Sequence, residues 1–203
     1  MANRPPMAAA RRLADRLWRV VVVALAAATA FALTPGAAQA TPFPETWLAD
    51  SRTHAYCFIE SSGSNPWWHS QKEAVEYAMV EQLEKPTDMV AKRESCASGT
   101  DVWWWKRDLG PGVRGEAQCM TWVSGNRCDS ADIRLDFAEL DKGGNDWHDR
   151  RKTAVHELGH TVGLGHHSPG AHDCAMMSGE VPNTDVTWRR FHPHDRYHIN
   201  QTY

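Results

Sequence analysis

The chain has 203 residues, enough for one ordinary domain and short of two. Hydrophobic residues make up 42% and charged residues 23%, a balance that excludes a disordered chain. The net charge of −3 becomes −7 once the five Arg and one Asp of the first forty residues are set aside, which argues against nucleic acid as a partner.

Those first forty residues follow their own pattern. Arg4, Arg11, Arg12, Arg16 and Arg19 form a basic start, an apolar run follows from Val20 to Leu33, and small residues end in Ala38-Gln39-Ala40. This is the order of a secretory signal peptide, so 1–40 is expected to be a leader and 41–203 a secreted, extracellular domain. The apolar run is short for a bilayer span, and nothing after Leu33 approaches one. No membrane association is expected once the leader is removed.

Residues 41 to about 53 read as an irregular lead-in. His54–Glu60 has the aromatic and apolar bias of a strand, and 61–66 is a loop. Ser70–Leu83 reads as a helix with Ala74, Val75, Ala78, Met79 and Leu83 on one side. Ser70 is the expected N-cap, with Glu73 three residues on. Trp67 and Trp68 precede it on the loop, where exposed aromatics would contact substrate.

Asp101–Asp108, Gly115–Val123 and Ala131–Phe137 are the next predicted strands. In the last, Ala131, Ile133, Leu135 and Phe137 alternate with Asp132, Arg134 and Asp136, one buried face against one wet face. The charges suit an exposed edge. Gly143-Gly144 breaks the chain, and Asn145 or Asp146 caps a helix from about Trp147 to Val162. Trp147, Ala154, Val155, Leu158 and Val162 are its predicted apolar face. A loop-rich stretch follows, then a last helix from Pro193 with His192 as cap.

The five Cys residues all follow the leader, and export permits disulfides. Cys119 and Cys128 flank Ser124-Gly125-Asn126, a turn-like stretch, and are the first expected pair. Cys57 with Cys96 comes second, leaving Cys174 free, although spacing alone leaves connectivity open.

The chemistry concentrates in His156-Glu157-Leu158-Gly159-His160. Two His four apart on a helix point the same way and can share one metal ion. Glu157 lies beside the first ligand and is free to act as a base. Gly163 can adopt a left-handed conformation, end the helix and turn the chain, so that His166 approaches from another direction. Three imidazoles leave a fourth position open, as in catalytic rather than structural zinc sites. His167 and His172 are weaker ligand candidates by spacing. The acids Asp129, Asp132, Asp136, Asp141 and Asp146 match no calcium-loop spacing and read as a solvated face.

His156 to His166, HELGHTVGLGH, resembles the extended zinc motif of the metzincin clan. Cys174-Ala175-Met176-Met177-Ser178-Gly179 resembles the clan's Met-turn, with Met177 as its Met. The segment from Asp195 to Tyr203 is similar to the closing helix of matrixins. The resemblance covers 54–203. It implies an α/β (α+β) zincin domain with a twisted, mostly parallel sheet and three helices. It also implies one catalytic zinc on His156, His160 and His166, Glu157 as general base, and Met177 as an apolar floor. The strand above the zinc would pair with an extended substrate, a role that Ala131–Phe137 shares with simple edge protection. His167 stands where matrixins carry Ser, and no cysteine switch is present, so the motif is matrixin-like. The implied activity is a secreted, monomeric zinc endopeptidase acting on protein or peptide. Its competitors are a non-catalytic zinc- or glycan-binding module and a zinc amidase acting on cell-wall peptides.

Overall fold

In the computed structural model, which describes residues 43–60, 66–170 and 172–203 of the unit Thr41–Tyr203, six strands form one mixed sheet. The predicted leader and residues 61–65 lie outside the described set. The strands are β1 (Leu48–Ala49), β2 (Thr53–Phe58), β3 (Val90–Arg93), β4 (Val102–Lys106), β5 (Gly115–Trp122) and β6 (Arg127–Leu135). β2, β3, β4, β6 and the short β1 run parallel, and only β5 is antiparallel. The helices are α1 (His69–Glu76), α2 (Phe137–Leu140), α3 (Asp146–Thr161) and α4 (Pro193–Thr202).

The alternation of β6 fixes which face is buried: Ala131, Ile133 and Leu135 all enter the core. It does not fix the strand's place in the sheet. β6 is an interior strand, with β4 running parallel from Val102↔Ala131 to Lys106↔Leu135 and β5 antiparallel to it. The expected edge position of 131–137 is therefore corrected, and the edge on this side is β5, with β3 at the other. The charged residues of β6 are used inside the sheet. Arg134 bonds Glu116 across the strand pair on β5 at 2.7 Å and Asp132 two residues back on β6 at 3.1 Å, on a partly exposed face of the sheet.

Asp136 is corrected too. It is buried and caps α2, accepting from the N–H groups of Ala138 and Glu139, and it also accepts from Leu109. Phe137 thus opens a helix instead of ending a strand, and among the described residues four α-helices stand where three helices were expected. Asp141 meets Arg150 at 2.7 Å, so two more of the five candidate acids, besides Asp132, are engaged by the chain itself.

α1 starts one residue before the predicted cap. Trp68 is the N-cap residue, and the Gln71 side chain accepts from its N–H at 3.0 Å, so Ser70 lies inside the helix. The helix continues in π-wound form over Tyr77–Glu84, where Lys85 N–H reaches back five residues to Val80 O. α1 and α3 pack on each other, and α3 also packs on β5 and β6. The α3 stripe Ala154, Val155, Leu158 and Val162 is fully buried, each large side chain contributing about 1.5–3 kcal/mol. Trp147 is excluded from that stripe. It is about half exposed and stacks on the Arg151 guanidinium 3.5 Å away.

Cys57 bonds Cys96 and Cys119 bonds Cys128, the two expected pairs, while Cys174 is free and buried. Among the described residues, no helix is long and apolar enough to cross a membrane.

Candidate metal centre

α3 carries His156 and His160 on one face, one turn apart, and it must end for a third ligand to reach them. Gly163 makes that end. It takes φ +99°, and Leu164 N–H bonds back to Gly159 O at 3.0 Å. A side chain there would also collide with Leu48 and Phe43. Beyond the break the chain returns His166 to the helix face. Its Nε2 lies 3.0 Å from that of His156 and 3.1 Å from that of His160.

The ring orientations follow from the outer nitrogens. His156 Nδ1 is 2.8 Å from Ala175 O, and His160 Nδ1 is 2.8 Å from Leu164 O. A carbonyl only accepts, so each Nδ1 carries the proton and each Nε2 presents a lone pair. Two bare nitrogens thus face a third at 3.0–3.1 Å, and His166 can donate to only one of them. Ligands of a tetrahedral ion at ~2.0–2.1 Å stand roughly 3.3 Å apart. The donor set and its spacing fit a divalent cation, and the three His form a group that could hold one. Burial holds His156 neutral, pushing its pKa down to about 3, with His160 and Lys152 adding to the effect. Burial lowers His160 likewise.

Glu157 is buried beside these rings. Desolvation pushes its pKa up to about 8; Lys152 opposes the shift and Glu116 reinforces it. Gly115, the first residue of β5, passes so close that a methyl group there would touch Glu157 and Thr153. The edge strand can approach the carboxylate only because it begins with glycine. Nothing local in the sequence distinguishes Gly115 from an ordinary strand residue, which is why it was missed.

The cleft has a volume of about 760 Å³ and is lined by the start of β5 with its preceding loop, the 178–180 segment, the three His and Glu157. Lys152 was also missed. Its buried ammonium donates to the carbonyls of Met177 and Gly179 and so pins the far wall to α3. Burial lowers its pKa to about 8. Arg114 pairs with Glu180, tying the near wall to the far one.

The turn below the helix places its two Met differently. Met176 is fully buried, with its sulfur against Gly159 between the two helix ligands. Met177 is half-buried and packs on the core from the side. His167, adjacent to His166, points the other way. Its Nε2 meets Asp195 Oδ1 at 2.8 Å and its Nδ1 meets Cys174 Sγ at 3.3 Å, all three buried. Asp195 also accepts from His192 N–H at 2.9 Å as α4 begins. The carboxylate bond, helped by Cys174, raises His167 to about 10, which favours the charged ring at neutral pH. Trp67 is in the core, donating to Ile59 O, and the exposed Trp68 faces a separate cleft with Lys106 and Asp108.

Neither a protein-family model nor a curated protein sequence matches the chain.

Proposed function

We propose that the chain is a secreted zinc-dependent endopeptidase of metzincin type, matrixin-like in its motif. The observation that carries this reading is the convergence of the His156, His160 and His166 Nε2 atoms on one point in an open cleft, with the Glu157 carboxylate alongside. His156, His160 and His166 would hold zinc there, which would supply Lewis-acid polarisation of a peptide carbonyl and lower the pKa of water to about 7.

The remaining work falls to the chain's own groups. The Ala175 and Leu164 carbonyls fix the tautomer and aim of two ligand rings. Glu157 takes a proton from the attacking water and returns it to the leaving amine. That work needs its carboxylate ionised when water attacks, and a bound cation beside it would favour the ionised form. β5 has β6 on one side only, so its other edge offers backbone N–H and C=O groups to an extended peptide. That role, first assigned to 131–137, moves to 115–122. Two disulfides support an extracellular setting.

The reading is tested by digesting an unfolded protein such as casein with and without a chelator. Cleavage should disappear with the chelator and return with added zinc. A chain that binds zinc and cleaves no protein would favour a non-catalytic module, and cleavage that ignores the chelator would exclude the metal from the chemistry.

A further inference from the structure

The spacing that builds the first half of the metal centre occurs a second time. His194 and His198 lie four residues apart on α4, with their Nε2 atoms 3.1 Å from each other. Their ring centroids are 4.3 Å apart and the rings cross at 84°. For His156 and His160 on α3 the corresponding values are 4.8 Å and 87°. Two imidazoles on one helix face, one turn apart and edge to face, are a chelating pair in both places.

We propose that His194 and His198 form a second metal site, a two-histidine chelate for a divalent transition-metal ion, with solvent completing the coordination. The inference does not depend on the peptidase reading.

The pair is held in place before any ion arrives. Phe43 stacks on the His198 ring, with centroids 4.8 Å apart and planes 9° from parallel. The helix beneath is fixed from its first turn by Pro193 and by the reciprocal His192–Asp195 cap. Ordering already present in the protein is ordering that binding need not impose.

The neighbouring His residues show what a non-chelating arrangement looks like. His172 and His192 lie face to face, 3.9 Å apart and 7° from parallel, so their in-plane lone pairs run side by side and do not meet. His167 has both ring nitrogens engaged by Asp195 and Cys174. Among the described residues, the groups of three candidate ligands do not include His194 or His198. The second site is therefore two-coordinate from the protein and weaker than the three-histidine site. Imidazole donors favour copper(II) over zinc when geometry does not select, so copper(II) should bind this pair more tightly.

The test is a titration of the full chain by calorimetry, first with zinc and then with copper(II). Two equivalents of zinc are expected, one tight and one weak. His194→Ala and His198→Ala should each remove the weak equivalent and keep the tight one, which also shows that the variants fold. The double variant His156→Ala, His160→Ala should lose the tight equivalent and keep the weak one. His69→Ala, at a His–Glu surface pair 3.3 Å apart on α1, should change nothing. Absence of the weak equivalent from the unaltered chain, or a weak equivalent that survives both His194→Ala and His198→Ala, would overturn the proposal. Absence of the tight equivalent with the weak one present would instead count against the peptidase reading.

Discussion

His166 and His167 are neighbours in the chain with opposite fates, and the two groups they join differ in one physical respect. His156, His160 and His166 turn their Nε2 atoms toward one point in an open cleft. Cys174, His167 and Asp195 also lie within ligand distance of one another, but they form a line: sulfur to Nδ1, then Nε2 to carboxylate. A ring that bonds outward through both nitrogens has no lone pair left to share. The first group presents converging lone pairs and the second spends its ring nitrogens on its own members. The carbonyls of Ala175 and Leu164 produce that convergence by occupying the outer nitrogens of the first group.

The second group ties the loop carrying His166 to α4. The sharpest way to break the comparison is Asp195→Ala. It leaves the His167 cation buried without its partner, a loss of about 3–5 kcal/mol. Denaturant unfolding reads that loss directly. Zinc affinity should fall as well, about 10–100-fold, because His166 follows its neighbour. A stability loss under about 1 kcal/mol would mean the line is a passive contact.

Next in size is a pH effect that separates two kinds of buried imidazole. His167 is charged because a carboxylate faces it, whereas His54 is buried with only the Thr161 hydroxyl at 2.9 Å. Desolvation lowers His54 to about 4. Its folded value lies below its unfolded value near 6.5, so the unfolded chain binds the extra proton between those pH values. The stabilisation is complete above pH 6.5 and is lost as pH falls toward 4, by about 3 kcal/mol. Unfolding curves at pH 7 and pH 4.5 should show it, and His54→Gln should flatten the difference. Equal slopes in both proteins would contradict the assignment.

Gly163→Ala is the smallest of these effects. A side chain at φ +99° that also meets Leu48 and Phe43 should cost about 1–3 kcal/mol and displace His166 before it unfolds the domain. Weakened zinc binding with a small change in unfolding midpoint is the expected pattern. An unchanged zinc affinity would show that the helix break does not set the third ligand.

The histidine cluster was legible in the sequence because its spacing is local: an i, i+4 pair and a glycine break are read without knowing the fold. One disulfide, Cys119–Cys128, was legible for a similar reason, because it closes a hairpin, whereas Cys57–Cys96 was one of three pairings open to the remaining cysteines and only the fold selects it. The sheet was legible only by faces. Alternation in 131–135 gave the buried side of β6 but carried no information on its neighbours, so an interior strand was read as an edge. β3, Val90–Arg93, shows no apolar pattern and is mostly exposed; it exists because β2 pairs with it, from Thr53↔Val90 to Tyr56↔Arg93. Gly115, Lys152 and Asp195 act on the cleft or its loops through contacts formed across the fold, which no local pattern encodes.

In the proposed reading the labour divides: three imidazoles would hold the ion, and Glu157 would stand beside it and move the proton. Glu157→Gln separates the two roles in one preparation. Zinc content measured alongside hydrolysis of a quenched peptide should show one tightly held ion retained and turnover reduced by at least about 10²-fold. Full turnover with zinc bound would contradict the account, and so would loss of the zinc itself.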